Sequence, residues 1–372
     1  MRGQSGRSGS CFNTWVEPTT TIEVLDEASG FAGAPSVKIA VVGAGVAGAY
    51  LLNRIPSEHQ VEAFEMRSEQ NWYTVCAWGT SEPFIKDLVK KAGFNFEDYV
   101  LHRGKKMVVE LGDDRLEIPL TGLVTYDKHR LTHDMIKGKK VHWGVQVKEP
   151  NGHFEGFDAV VDATGLHRSL LPKVQEDVVI PSLEYQVKSK ELPYDDFVIR
   201  PYEGITGYWW YFPLGDGVAH VGAGDLRGRY RGELDEFVKK YKCEVVRRIG
   251  RPVRVTPPKL MEPFYDGKVV GVGESIGTVY PMLGEGIIPS MQCVDLFVEH
   301  LGDKEGYRKA VLEHYAIYAK VYEFVKAKID GRFSMMRMLP TLFEIYRYMR
   351  SNEVRYGLKA RMSDFYKIAT RL

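Results

Sequence analysis

Apolar and β-branched positions run almost unbroken from 37 to 42, break at a glycine cluster, and resume at helical spacing through 55. That pattern predicts a strand buried on both faces, a glycine turn and an apolar helix. "QVEAFEMR" (60–67) predicts a second short strand, and the alternation on both sides of Gly112–Asp114 predicts a hairpin over 105–120. Residues 126–136 have helical spacing, with Asp127 placed to cap them. A further hairpin is expected around Asn151–Gly152, and "FDAVVDATG" (157–165) reads as a buried strand ending in a glycine turn. From about 176 to 258 the period falls to two, the mark of antiparallel sheet. "GKVVGVGESIG" (267–277) returns to the buried-strand pattern, and helical spacing holds from Gly286 to the end, with no internal repeat. The expected fold class is α/β: a Rossmann-like domain interrupted by an antiparallel β-sheet domain and followed by C-terminal helices.

Composition narrows this reading little. The chain has 372 residues, enough for about two domains, with 44% hydrophobic and 27% charged residues, as in ordinary globular proteins. A formal net charge of +1 gives no field that would recruit nucleic acid. Cys11, Cys76, Cys243 and Cys293 lie far apart, without CxxC or zinc-type spacing, which favours a reduced, cytoplasmic interior and no structural metal. No run approaches the roughly 18 apolar residues of a membrane span. "MRGQSGRSGS" has no apolar segment behind it and does not read as a secretory signal, so residues 1–36 are expected to be a poorly ordered tail. Residues 320–372 hold 12 Lys/Arg and 5 Asp/Glu among aromatic and apolar residues. Such helices either lie on an anionic membrane surface or present a solvated basic face over a normal core. Met335, Met336 and Met338 read as adaptable cavity lining or as plain core.

Chemistry enters at the glycines. Gly43-Ala44-Gly45-Val46-Ala47-Gly48 is GxGxxG between a strand and a helix. Gly43 permits the tight turn, Gly45 admits a pyrophosphate to the backbone, and Gly48 lets helix and strand pack closely. The helix N-terminus offers unpaired N–H groups and a positive dipole end. Glu65 ends the next strand 17 residues after Gly48, where a carboxylate accepts both ribose hydroxyls of an adenosine; a 2′-phosphate would be repelled there. A second loop, from the strand at 269 through Glu274 and Pro281 to Gly284-Glu285-Gly286, starts another helix. A nicotinamide dinucleotide needs one such loop, whereas FAD is longer and needs a second wall for its ribityl chain and flavin. A helix N-terminus at Gly284–Gly286 suits a flavin carbonyl that becomes anionic on reduction.

These residues resemble the geranylgeranyl reductase family of FAD-dependent oxidoreductases, within the class that includes aromatic hydroxylases. The resemblance rests on GxGxxG with Glu65; on Tyr208-x-Trp210-x-Phe212-Pro213 followed by Val221-Gly222-x-Gly224; and on Gly273-Glu274-x-x-Gly277 through Pro281 to Gly284-Glu285-Gly286-Ile287. The family usually has Asp at the position of Glu274 and, in its hydroxylase branch, Asp at the position of Thr164. The resemblance implies an FAD-binding domain in two parts (37–175 and 259–301), a substrate domain (176–258) and a C-terminal helical region (302–372). It implies FAD held by the first glycine turn with Val46, Ala47, Glu65 and Met66. It adds Gly165, the second loop from Gly273 and Glu274 to Ile287, and Arg130, which reads equally well as an ordinary solvated helix arginine. It also puts Cys76 between substrate and flavin as the catalytic residue, although a small buried thiol is the plainer reading.

"GYWWYFPLGDG" (207–217) is then the substrate wall, with Tyr208, Trp210, Phe212 and Pro213 lining a cavity over the flavin. Burying a twenty-carbon chain gains on the order of 15 kcal/mol gross at about 0.8 kcal/mol per CH₂. An isolated alkene has no carbonyl to polarise, so aromatic faces would stabilise a cation-like centre while the flavin supplies hydride. Alternation sends Trp209 and Tyr211 to the opposite face, against backing helices. The expected activity is reduction of C=C bonds in isoprenoid lipids or prenyl diphosphates. With one GxGxxG in the chain, the expected reductant is a ferredoxin-type protein or transiently bound NAD(P)H. Two alternatives stay open: a flavin monooxygenase or quinone-linked oxidoreductase on the same scaffold, and a prenyl-lipid carrier that keeps flavin as structure. His133, His167 and His220 show no metal spacing and receive no role.

Overall fold

A computed structural model of the chain describes residues 36–371 apart from residue 75 and residues 150–153. The strand Lys38–Val42 lies inside a six-stranded sheet. On one side it pairs in parallel with Gln60–Glu65, which pairs with Val141–Trp143. On the other it pairs in parallel with Ala159–Asp162, followed by Val269–Gly271 and the antiparallel edge Tyr265–Asp266. Neighbouring residues of a strand point to opposite faces, and Ile39, Ala40, Val160 and Val161 have no exposed surface, so both faces are covered. Parallel pairing also brings the strand ends to one edge: Val42 is level with Phe64 and Asp162, and Asp162 with Gly271. Open α/β sheets bind ligands beyond that edge.

The second sheet has seven strands, in the order Glu244–Gly250, Ser182–Lys188, Val218–Asp225, Gly207–Gly215, Phe197–Pro201, Lys106–Leu111 and Asp114–Pro119. All neighbours are antiparallel except Phe197–Pro201 with Lys106–Leu111. The hairpin read over 105–120 therefore forms, but it extends this sheet rather than the first. Nor is 176–258 sheet throughout: Tyr230–Lys240 is a helix whose Leu234 and Phe237 pack with Trp209, Tyr211, Val221 and Tyr185 in a satellite core. Its apolar positions recur at helical spacing, which the strand pattern on both sides obscures. The expected turn at Asn151–Gly152 lies outside the described residues; the strands before and after it, Val141–Trp143 and Ala159–Asp162, are separated in the sheet by two others. The expected tail, 1–36, also lies outside them apart from Ser36.

The glycine-turn helix Val46–Arg54 and the later helix Ile287–Glu299 are pinned together, because Tyr50 Oη, Arg54 Nε and Lys91 Nζ all reach the Asp295 carboxylate within 3.0 Å. Asp127 caps the helix Lys128–Ile136 by accepting from the Arg130 backbone N–H. Helices Lys304–His314, Ala316–Ile329, Met335–Ser351, Glu353–Tyr356 and Met362–Arg371 complete the chain. No helix among the described residues is long and apolar enough to cross a membrane.

Candidate functional site

The first glycine turn has the shape its sequence demands. Gly43 has φ +102, and a Cβ there would lie 2.5 Å from the Ala163 carbonyl oxygen. A Cβ on Gly48 would lie 1.9 Å from the Gly43 oxygen, so helix and turn touch backbone to backbone. A Cβ on Gly45 would meet nothing within 4 Å. That open space lies at the N-cap of the helix, where the N–H groups of Val46 and Ala47 have no intrahelical acceptor. Gly43 and Gly48 are glycine because protein is close, and Gly45 because something else would be. The turn fits a pyrophosphate.

Glu65 is buried at the end of the second strand. Its Oε2 accepts from the Ala44 N–H at 2.9 Å and its Oε1 from the Arg67 N–H at 3.0 Å. The carboxylate expected to face ribose hydroxyls thus also holds the glycine turn in place. Met66, next in the chain, is exposed.

The second loop arrives from the strand Val269–Gly271. Gly273 has φ +69, and a Cβ there would come within 3.0 Å of Ala47 Cβ and 3.1 Å of Ser290 Oγ, so this loop sits against the first turn of the glycine helix. Glu274 points to a pair of arginines: Oε2 accepts from Arg251 Nη2 at 3.1 Å and Oε1 from the Arg254 N–H at 3.2 Å. Arg254 is almost wholly buried and grips both carboxylate oxygens of Asp177 at 2.8 Å. Its remaining N–H groups reach the carbonyls of Gly165, Leu166 and Glu274. It stitches the Gly165 turn, whose φ is +62, to the second loop. Neither arginine was expected from the sequence.

Gly286 begins the helix Ile287–Glu299, and Glu285 Oε1 accepts from the Ile288 N–H at 3.1 Å. Glu285 Oε2 receives a 2.5 Å hydrogen bond from the buried Arg355, which ties the Glu353–Tyr356 helix to this loop. The neighbouring glutamate holds the Arg355 guanidinium well above its ordinary pKa against the opposing effect of burial.

The aromatic strand meets this loop directly. Tyr208 Oη donates to the Leu283 carbonyl at 2.5 Å, and a Cβ on Gly284 would sit 3.4 Å from that hydroxyl. Tyr208, Trp210 and Phe212 are half-buried on one face; Trp209 and Tyr211 are buried on the other, against Phe237 of the backing helix. The Trp210 indole lies across Gly222, where a Cβ would come within 2.2 Å of its ring, and this explains the glycine. Pro213 is buried, with its carbonyl accepting from Thr125 Oγ1. Cys76 is a half-buried free thiol whose Sγ accepts from the Trp78 N–H at 3.3 Å. Burial, with the Cys76 sulfur adding to it, pushes the Tyr126 and Tyr208 hydroxyls up.

Arg130 stands apart from this group. It is exposed, donates to the Asp98 carbonyl at 3.2 Å and stacks over the Tyr99 ring at 5.1 Å. Met335 and Met338 pack on the main core, but Met336 is 90% exposed and is neither core nor lining. Among the described residues no cluster of His, Cys, Asp or Glu could hold a metal ion.

No protein-family model matches the chain. It is 26% identical over 322 residues to an uncharacterized protein of Methanocaldococcus jannaschii, covering 74% of this chain and 85% of that one. It is 27% identical over 165 residues to digeranylgeranylglycerophospholipid reductase 1 of Methanosphaera stadtmanae, a match spanning 41% of this chain and 38% of that enzyme. In three dimensions it is similar to a geranylgeranyl bacteriochlorophyll reductase-like protein of Thermoplasma acidophilum, with a TM-score of 0.66 at 17% identity over 89% of this chain and 95% of that one. It is similar also to a probable FAD-dependent monooxygenase from Pseudomonas aeruginosa, with a TM-score of 0.55 at 15% identity over 80% and 99% of the two chains. The fold is the one these solved structures share, and the likeness to geranylgeranyl reductases seen in the sequence recurs in these comparisons.

Proposed function

We propose that this chain binds FAD between its two glycine loops and reduces carbon–carbon double bonds of isoprenoid chains laid along the aromatic strand. One observation carries the reading: the Tyr208–Phe212 face abuts the second loop, through Tyr208 Oη on Leu283 O, so a ring bound at Gly284–Gly286 has an aromatic wall beside it. The names of the curated reductases support the substrate class. The fit is in the chain's own atoms: open space at Gly45 for the pyrophosphate, Glu65 at the ribose end, and the helix start at Gly286 for the flavin carbonyl.

Bound flavin supplies hydride. The protein orients and shields. Tyr208, Trp210 and Phe212 fix a chain that has no polar handle and offer ring faces to positive charge at a substituted carbon. In this reading Cys76, whose Sγ accepts from the Trp78 N–H, lies between substrate and flavin. The reductant in this reading is a ferredoxin-type protein or NAD(P)H, and the basic C-terminal helices bring the protein to the lipid surface. The experiment is anaerobic: reduce the FAD-loaded protein with dithionite, add geranylgeranyl lipid, and follow flavin reoxidation with mass gain in the lipid. Reoxidation with a gain of two hydrogens per bond supports the reading. Reoxidation only on admitting oxygen, with a hydroxylated product, replaces it with a monooxygenase.

A further inference from the structure

The aromatic face holds two more polar side chains, Glu184 and His220. Register places Glu184 and Trp210 level with Gly222, and His220 level with Phe212, so all four side chains share one face across three strands. His220 has no exposed surface and Glu184 has 3%. Glu184 Oε1 lies 2.6 Å from His220 Nδ1, and Glu184 Oε2 accepts from the Trp210 Nε1–H at 3.2 Å. A carboxylate on Nδ1 keeps a proton there, which makes Nε2 the working atom: a lone pair in the neutral ring, an N–H in the cation. Nε2 is buried and has no partner among the described residues. Leaving a buried polar atom unpaired costs about 1–3 kcal/mol, which a purely structural histidine avoids by finding a hydrogen-bond partner. Above it lies the Trp78 indole, with ring centroids 4.7 Å apart, and the Trp78 Nε1 is likewise buried without a partner.

We propose that His220, oriented by Glu184, donates the proton that completes reduction of a double bond on this face. The inference rests on the function proposed above and supplies the group that reaction still lacks. The Nε2–H bond of the cationic imidazole breaks as the alkene π pair forms a C–H bond to its proton at one carbon. Hydride from the reduced flavin supplies the electron pair of the second C–H bond, at the other, positive carbon. The flavin ends oxidised and the imidazole neutral, to be reprotonated from solvent. Donation at the Phe212 end of the face leaves the developing positive carbon beside the Phe212 and Trp210 rings; the Trp78 ring that covers His220 moves aside for the prenyl chain and again for reprotonation. Glu184 is a positioning residue: it sets the tautomer and does not touch substrate. Titratable and charged groups near the pair include Tyr208 on the same face, Tyr73 and Cys76 from the segment that also carries Trp78, and Arg247, which lies 4.0 Å over the Tyr73 ring.

The first test needs no cofactor. Nitrogen-15 imidazole spectra of the flavin-free protein, with the His220 signal identified by its loss in His220→Asn, are expected to show the neutral form of His220 as the Nδ1–H tautomer, so that the proton gained in the cation sits on Nε2. They should show a mixed or Nε2–H tautomer in Glu184→Gln. A wild-type His220 whose neutral form is the Nε2–H tautomer overturns the proposal, whether or not Glu184→Gln folds. The second test uses FAD-loaded protein, reduced anaerobically and mixed with geranylgeranyl lipid. Reoxidation by lipid should fall 100-fold or more in His220→Asn, the usual contribution of a general acid, with FAD affinity unchanged. A wild type that reduces lipid beside a His220→Asn variant of equal rate sinks this inference alone. A wild type that binds FAD but never passes hydride to a prenyl lipid sinks the functional reading and takes the inference with it.

Discussion

A methyl group placed on either of two glycines, three residues apart, should have opposite consequences. At Gly48 a Cβ would lie 1.9 Å from the Gly43 carbonyl oxygen, which is backbone and cannot yield without opening the turn. Gly48→Ala should therefore destabilise the fold by several kcal/mol, through overpacking at a site with no room to relax. At Gly45 the same methyl meets no protein atom within 4 Å, and the backbone, at φ −75, suits alanine as well as glycine. Gly45→Ala should fold as well as the parent or gain up to about 1 kcal/mol from the less flexible unfolded chain. The methyl enters the space a pyrophosphate needs to reach the helix N–H groups. Losing one hydrogen bond to a charged group costs about 1.5–3 kcal/mol, so FAD affinity should fall roughly 10- to 150-fold. Thermal melts of the flavin-free proteins and a titration of flavin fluorescence quenching separate the two effects. Parental FAD affinity in a folded Gly45→Ala protein would show that the pyrophosphate does not sit at this turn.

Other consequences follow from packing and charge. Trp209→Ala should cost about 3–5 kcal/mol of stability, read from urea unfolding, because its indole fills the satellite core; Trp210→Phe on the opposite face should change prenyl-lipid turnover more than stability. Arg355→Ala leaves the Glu285 carboxylate without its partner and should destabilise by about 3–5 kcal/mol, with the C-terminal helix releasing first in hydrogen exchange. Gly222→Ala should displace the Trp210 indole and weaken its hydrogen bond to Glu184, seen as a shift of the indole N–H resonance. Glu62, bonded to His142 at 2.8 Å and beside Lys140 and Lys38, has its carboxyl held down to about 2. A depressed carboxyl stabilises the fold above its unfolded value and stops doing so as pH falls through the folded value, so its contribution should disappear between about pH 4.5 and 2. Glu62→Gln should flatten the stability profile over that window, and an unchanged profile would place the charge elsewhere.

Local pattern carried much of the fold. Buried runs at 38–42, 159–162 and 269–271 could only be strands covered on both faces, and Asp127 caps the helix where its spacing required. The helix at 230–240 was lost because a short amphipathic helix between strands leaves only three or four apolar marks. The residues that assemble the site were legible in part. Glycines announce themselves because backbone approach forbids every other side chain, and the alternation of Tyr208, Trp210 and Phe212 against Trp209 and Tyr211 fixed two faces before any coordinates. Arg130, whose helix position fits a cofactor arginine and a solvated one equally, lies exposed over Tyr99.

Sequence alone determined where the chain turns, which faces are apolar and where a dinucleotide would meet bare backbone, because these depend on residues within one turn or one strand. Tertiary structure alone decided that Arg254 joins two glycine turns 20 and 89 residues away, that Arg355 grips Glu285 across 70, and that Glu184 finds His220 across 36. Charged and imidazole side chains carry no periodicity of their own, and their roles depend on which distant partner the sheet register and the helix packing bring within about 3 Å.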